Sequence, residues 1–199
     1  FPENPNFGTR LDEPAGIGYD YGITMPEEGE RMTDTEAMHE ALALAREAAD
    51  EGEVPVGCIV TDGEHIVGRG RNRRETGKSA LAHAELEAIA EACRTLGGWR
   101  LWRCTLYVTL EPCPMCAGAI INARIPRVVF GAPDPKAGSC GSVTDLFALP
   151  YNHRPACEGG VLEEECAQLL RDFFHALRLA PPKPRWKPAV LPAQGGDHA

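Results

Sequence analysis

No stretch of this 199-residue chain holds the run of about 20 apolar residues that a membrane-crossing helix needs. Nor is there a basic start followed by a short apolar core and a small-residue cleavage site, so no secretion signal is read. The cytosol is the expected compartment, with no membrane partner. Aromatic residues make up only 7% of the chain, and no internal repeat is found. A disulfide framework is also missing, because eight cysteines are too few to staple a chain of this length and regular patterning. Positive charge is scarce as well, with a net charge of −9.

What is present is an ordinary composition, 43% hydrophobic and 25% charged, in a chain long enough for one domain with a substantial core. The negative charge is uneven. Residues 1–34 hold eight acidic and two basic side chains, and the remainder holds 21 and 18. Arg69, Arg71, Arg73, Arg74 and Lys78 crowd together before His83. That cluster reads either as a solvated strand and loop or as a contact for a phosphate backbone, since local charge governs such attraction.

Residues 1–31, rich in Gly, Pro and acids, read as a disordered acidic leader. Phe1 is not an initiator. Glu28-Gly29-Glu30 can be encoded by a purine run resembling a bacterial ribosome-binding site, which makes Met32 the expected natural start. A domain is expected over 32–179, and the prolines after Ala180 describe a flexible tail over 180–199. Within the domain, Thr33 and Glu36 form a capping-box pattern ahead of an apolar helical face at Met38, Ala41, Leu42, Ala45, Ala48 and Ala49, with Gly52 as the stop. A strand over 54–61, a turn at Asp62-Gly63 and a strand through Ile66 and Val67 make a hairpin. Helices follow over 81–93, 113–121 and 163–179, the last with Leu170, Phe173 and Leu177 on one side. Strands are expected over 105–110 and 127–131. Strands alternating with helices imply a layered α/β domain. Cys58, Cys93 and Cys166 read as small buried thiols, while Cys104, Cys140 and Cys157 carry no motif.

The chemistry is concentrated in His83-Ala84-Glu85 and Pro112-Cys113-Pro114-Met115-Cys116. One histidine and two cysteines supply three ligands of the kind zinc prefers and leave the fourth tetrahedral position open, as in a catalytic site. Cys113 and Cys116, three apart at a helix start, share a face there, where free N–H groups and the helix dipole stabilise thiolate. Two thiolates and a neutral imidazole balance Zn²⁺ in charge. Glu85, two residues past His83, points to a different helical sector, which suits a proton shuttle better than a fourth ligand. Alone, C-x-x-C also reads as structural zinc or a redox pair, and H-x-E says almost nothing. In this order, with proline before the first cysteine, the set is the pattern of zinc-dependent nucleobase deaminases.

The likeness extends further, through Val54-Pro55-Val56-Gly57, Asn72, Leu106 to Cys113, Cys116-Ala117-Gly118-Ala119, Arg127 to Ala132, Asn152-His153-Arg154 and Asp172-Phe173-Phe174. Over about residues 33–178 the chain resembles the bacterial tRNA-specific adenosine deaminase (TadA) family. The resemblance implies a cytidine-deaminase-like fold, a three-layer α/β/α sandwich with a central mixed sheet, acting as a homodimer with one zinc per subunit. It implies conversion of adenosine to inosine at wobble position 34 of tRNA, in an arginine tRNA, with the anticodon stem-loop as partner. By matching position, His83, Cys113 and Cys116 hold zinc, Glu85 shuttles the proton, and Asn72 hydrogen-bonds the extruded purine. Ala84 and Asp134 border the flipped nucleotide, and Phe174 lies near the anticodon loop, where it stacks on a base or simply belongs to the apolar face of the last helix. One departure is Ser79-Ala80-Leu81-Ala82, where the family often has Asp-Pro-Thr-Ala.

Two other readings stay open at this stage. One is a deaminase of a free base or nucleotide such as guanine, cytosine or deoxycytidylate, against which the basic cluster, Asn152-His153-Arg154 and the Phe pair stand. The other is a non-catalytic zinc scaffold subunit, which would be expected to lack Glu85.

Overall fold

The computed structural model describes residues 32–181. The expected leader over 1–31, and all but the first two residues of the expected tail, lie outside the described residues. The described elements are four helices, α1 (Asp34–Asp50), α2 (Ala84–Thr95), α3 (Pro114–Ala123) and α4 (Glu163–Leu179), and five strands, β1 (Gly57–Asp62), β2 (His65–Arg71), β3 (Cys104–Leu110), β4 (Arg127–Ala132) and β5 (Ala156–Gly159).

The strands form one sheet in the order β2-β1-β3-β4-β5. β1 is antiparallel to β2 and β3, while β3, β4 and β5 run parallel. Period-2 alternation sends side chains to both faces. Cys58, Val60, Leu106, Val108 and Val128 pack under α2 and α3. Ile59, Tyr107 and Val129 point the other way, onto α1 and α4. This is the expected three-layer sandwich with a mixed sheet.

α1 begins at the capping box read from sequence. Thr33 Oγ1 accepts the Glu36 N–H at 3.2 Å, and Glu36 Oε2 accepts the Thr33 N–H at 2.9 Å. It ends before Gly52, whose φ of 78° suits only glycine without strain. Three elements start later than expected. β1 starts at Gly57 rather than residue 54, because Pro55 has no N–H and the Val56 N–H turns back to the Val54 carbonyl at 2.8 Å. α2 starts at Ala84 rather than 81, after a turn in which the His83 N–H bonds the Leu81 carbonyl at 2.8 Å. α3 starts one residue late, with Cys113 as its cap. β5 was not expected at all. It is a four-residue edge strand with every residue exposed, so it has no apolar alternation to reveal it.

α2 lies directly on β2, where two strand glycines make room for it. A Cβ on Gly70 would stand 2.6 Å from the Ala88 nitrogen and overlap the Ala84 carbonyl. On Gly68 it would stand 2.8 Å from the Ala92 nitrogen. This close approach fixes where the first turn of α2 sits.

Candidate active site

β3 runs into α3 through Glu111 and Pro112, and β2 runs into α2 through residues 72–83, so two helix N-termini converge at one edge of the sheet. His83 caps α2 in an extended conformation (φ −86°, ψ 148°) and Cys113 caps α3 (φ −74°, ψ 172°). Neither side chain caps its own helix. Instead they turn toward each other. His83 Nδ1 lies 3.7 Å from Cys113 Sγ and 3.5 Å from Cys116 Sγ. Among the described residues these three are the group of His, Cys and acidic side chains able to hold a metal ion, with all ligand atoms within 4.8 Å of one another.

The geometry corrects one detail of the sequence argument. His83 precedes the helix, so the angular offset between positions 83 and 85 is not a helical one. Cys113 likewise caps α3, and only Cys116 lies within it. The thiolate-stabilising ends of two helices, rather than one, face the cluster.

The three side chains strongly perturb one another's titration. The Cys113 thiol is lowered to about 4, chiefly by its hydrogen bond with Cys116 and then, against burial, by its bond with His83. Cys116 is pushed far up by the same bond to Cys113 and by burial. His83 is raised, first by its hydrogen bond to Cys113. Two soft sulfurs and an imidazole competing for protons form a donor set that suits zinc, whose binding releases such protons. The residues present therefore fit the metal.

Glu85, in the first turn of α2, is 4% exposed. Burial raises its carboxyl, opposed by a hydrogen bond from its own N–H and assisted by the nearby Cys113 charge. A carboxyl so placed holds its proton more tightly than an exposed one, which suits an acid–base role.

A cavity of about 210 Å³ opens beside this cluster, and Asn72, Arg74, His83, Ala84, Glu85, Cys113 and Asp134 all line it. All the expected site residues except Cys116 and Phe174 thus share one pocket wall. Cys116 is fully buried behind His83. Phe174 is 40% exposed and lines a separate, larger groove of about 690 Å³ between the loop at Pro135-Lys136 and α4. Arg171, His175 and Arg178 line that groove too. It holds none of His83, Cys113 and Cys116, but the loop over 134–137 borders both spaces.

The basic cluster divides. Arg74 lines the pocket, whereas Arg71 is tied to α1 through Glu51 at 2.6 Å and Glu47 at 3.5 Å. His153 points inward, its Nε2–H donating to the Ile125 carbonyl at 2.7 Å. Cys58 and Cys166 are buried thiols as expected, and Cys93 is partly so. Cys104 is also buried, and Cys140 and Cys157 are free thiols that perturb each other's titration. Sequence reasoning missed two buried carboxylates beside the pocket, Glu53 and Glu111, because nothing local distinguishes them from surface acids. It also missed the polar side of the α4 groove, where Arg171, His175 and Arg178, a turn apart from one another on α4, meet Lys136 from the loop after β4.

A family model described as MafB19-like deaminase matches residues 32–178. A tRNA-specific adenosine deaminase of Bacillus subtilis (strain 168) is 49% identical over 149 residues, covering 74% of this chain and 92% of that protein. The chain belongs to the tRNA-specific adenosine deaminase family. The deaminase is thus a hydrolase, and its sandwich is the cytidine-deaminase-like fold. A solved structure from studies of A-to-I editing by tRNA:A34 deaminases at the wobble position of transfer RNA is 42% identical. It superposes with a TM-score of 0.66 over 68% of this chain and 99% of the other. A tRNA(Ile)-lysidine synthase of Deinococcus radiodurans is 54% identical over 144 residues, which are 71% of this chain but 25% of that longer protein. No helix among the described residues is long and apolar enough to cross a membrane.

Proposed function

We propose that this enzyme hydrolytically deaminates adenosine to inosine at wobble position 34 of a tRNA, an arginine tRNA among them, and works as a cytoplasmic homodimer with one zinc per subunit. The observation that carries this reading is the Glu85 carboxyl, buried in the wall of a small pocket beside the cluster of His83, Cys113 and Cys116. A structural zinc site has four protein ligands and no use for a buried acid beside it. A non-catalytic scaffold has no use for Glu85 either.

His83 Nδ1 and the Sγ atoms of Cys113 and Cys116 hold the zinc. Bound there, zinc supplies the Lewis acidity that makes water nucleophilic near neutral pH. Glu85 takes the proton that the attacking water gives up and delivers it to a nitrogen of the purine ring. It then assists departure of the exocyclic amine as ammonia, so that water and adenosine become inosine and ammonia. The pocket is small and lies at the sheet edge, so a base inside a stacked loop must swing out to enter it. Asn72 hydrogen-bonds that purine, and Ala84 and Asp134 border the flipped nucleotide. Lys136 and Arg178 offer positive charge to phosphates along the α4 groove, beside Arg171, which is paired with Glu164, and Phe174 presents a ring for stacking.

The test is to offer the purified protein an anticodon stem-loop with adenosine at the wobble position, and separately free adenine, guanine, cytosine and deoxycytidylate. Inosine in the RNA with no turnover of the free compounds is the expected result. Turnover of a free base without RNA product would overturn the assignment in favour of a base deaminase.

A further inference from the structure

Two interior carboxylates belong neither to the ligand cluster nor to the expected substrate contacts. Glu53 is 0% exposed and Glu111 is 2% exposed. An ionised carboxylate is costly to bury unless its oxygens are occupied by donors. Glu111 meets that demand almost entirely with backbone from one loop. Its Oε1 accepts the N–H groups of Cys140 at 2.9 Å and Ser142 at 3.0 Å. Its Oε2 accepts the Asp134 N–H at 3.0 Å and the Ser142 hydroxyl. The loop winds so tightly around this group that a Cβ on Gly138 would overlap the carboxylate. Glu53 does the same for the other loop. Its Oε1 accepts the Thr76 N–H at 2.6 Å, and its Oε2 accepts the Glu75 N–H at 3.2 Å and the Asn72 side-chain amide at 3.4 Å.

The two wrapped loops follow β2 and β4, which lie on either side of β1 and β3 in the sheet and end at the same edge. One carries Asn72 and Arg74 and the other carries Asp134, all lining the pocket. We propose that Glu53 and Glu111 are paired positioning residues, buried carboxylates that each hold one rim of the base pocket and so fix the distance across it. They act through Asn72 and Asp134, not on the reacting atoms or the metal. This rests on the reading that the pocket receives the flipped nucleotide. The carboxylates fix the rims before substrate arrives, so their loss weakens binding of the nucleotide without slowing the chemical step.

Glu111→Gln and Glu53→Gln test this, since each replaces an acceptor oxygen with an NH₂ group that faces N–H donors. Three quantities are read: zinc content, KM and kcat on the wobble-adenosine stem-loop, and hydrogen exchange of the rim amides. For either variant the expected result is wild-type zinc, kcat within about threefold, and KM raised about tenfold. Exchange should accelerate at Asp134, Cys140 and Ser142 for Glu111→Gln, and at Glu75 and Thr76 for Glu53→Gln, with the opposite rim unchanged. Ser142→Ala removes only one donor and keeps the backbone bonds. It should raise KM about threefold, and it decides the matter if the glutamine variants do not fold. Unchanged rim exchange overturns the proposal, as does a fall in kcat or zinc at constant KM. A purely structural role would lower thermal stability without separating KM from kcat. If the wild-type protein leaves the stem-loop untouched, the functional reading fails, and the exchange data still decide whether the carboxylates hold the rims.

Discussion

Gly70→Ala should pull the ligand cluster apart while leaving every ligand in the chain. Gly70 lies on β2 under the first turn of α2, and an added methyl would sit 2.6 Å from the Ala88 nitrogen, where ordinary contact begins at 3.4 Å. The obstacle is backbone on both sides, so neither a rotamer change nor a flexible side chain can absorb it. α2 must therefore retreat by about 1 Å, at a cost of ~1–3 kcal/mol of stability. His83 is the residue immediately before that helix, so its Nδ1 moves away from Cys113 Sγ and Cys116 Sγ, which now lie at 3.7 and 3.5 Å. Metal–ligand lengths tolerate only ~0.2 Å, and disturbing the groups that orient a ligand costs ~10–100-fold in metal affinity. The assay is zinc affinity by chelator competition, with thermal denaturation alongside. Gly68→Ala is the control. Its methyl would meet Ala88 and Ala92, about a turn further from His83, so it should cost similar stability and much less zinc affinity. Wild-type zinc affinity in Gly70→Ala, with stability reduced as expected, would refute the claim that the seat of α2 on β2 sets the cluster.

Glu85→Ala should retain stoichiometric zinc and lose at least ~10²–10⁴-fold in kcat, measured by single-turnover deamination with metal analysis on the same sample. Chelation of the metal should abolish activity but leave the far-ultraviolet circular dichroism unchanged, because both faces of the sheet have apolar cores of their own, and added zinc should restore activity. The Asp34 carboxyl is held below its usual range, first by its hydrogen bonds with Arg127, whose two terminal guanidinium nitrogens each donate at 2.7 Å. A depressed carboxyl contributes stability that is complete above its unfolded pKa and is lost as pH falls through the folded one. Asp34→Asn should therefore remove ~1 kcal/mol at neutral pH, after allowance for the pair's partial exposure, and flatten the acid limb of denaturation midpoint against pH. Tyr107 is pushed up to about 12, first by burial and then by Asp34. Its contribution is complete below about 10 and is lost as pH rises toward 12, so Tyr107→Phe should flatten the alkaline limb.

The sequence spoke most clearly where a local rule acts alone. Thr33 and Glu36 announce the start of α1, and the alternation of β3 and β4 announces buried strands. His83, Cys113 and Cys116 stand out as a group that could hold a metal, with Glu85 beside them, because such chemistry at fixed spacing is rare. Positions set by tertiary contact were not legible. β5 exists because its backbone pairs with β4, an arrangement invisible in the residues Ala156 to Gly159. The first turn of α2 begins at Ala84, not Leu81, because the preceding turn and the contact with Gly70 decide it. Glu53 and Glu111 look like surface acids until the loops that wrap them are seen. Sequence leaves the cluster around Arg71 open between solvated surface and phosphate contact, and only the fold shows Glu47 and Glu51 of the neighbouring α1 region taking the Arg71 charge.

The most direct test of the central claim follows the oxygen. The wobble-adenosine stem-loop is incubated with the zinc-loaded protein in water enriched in heavy oxygen, and the digested nucleosides are analysed by mass. Inosine at the wobble position carrying one heavy oxygen, formed with an equal amount of ammonia, is the predicted result. Unchanged adenosine in the RNA after prolonged incubation with fully zinc-loaded protein would contradict the account.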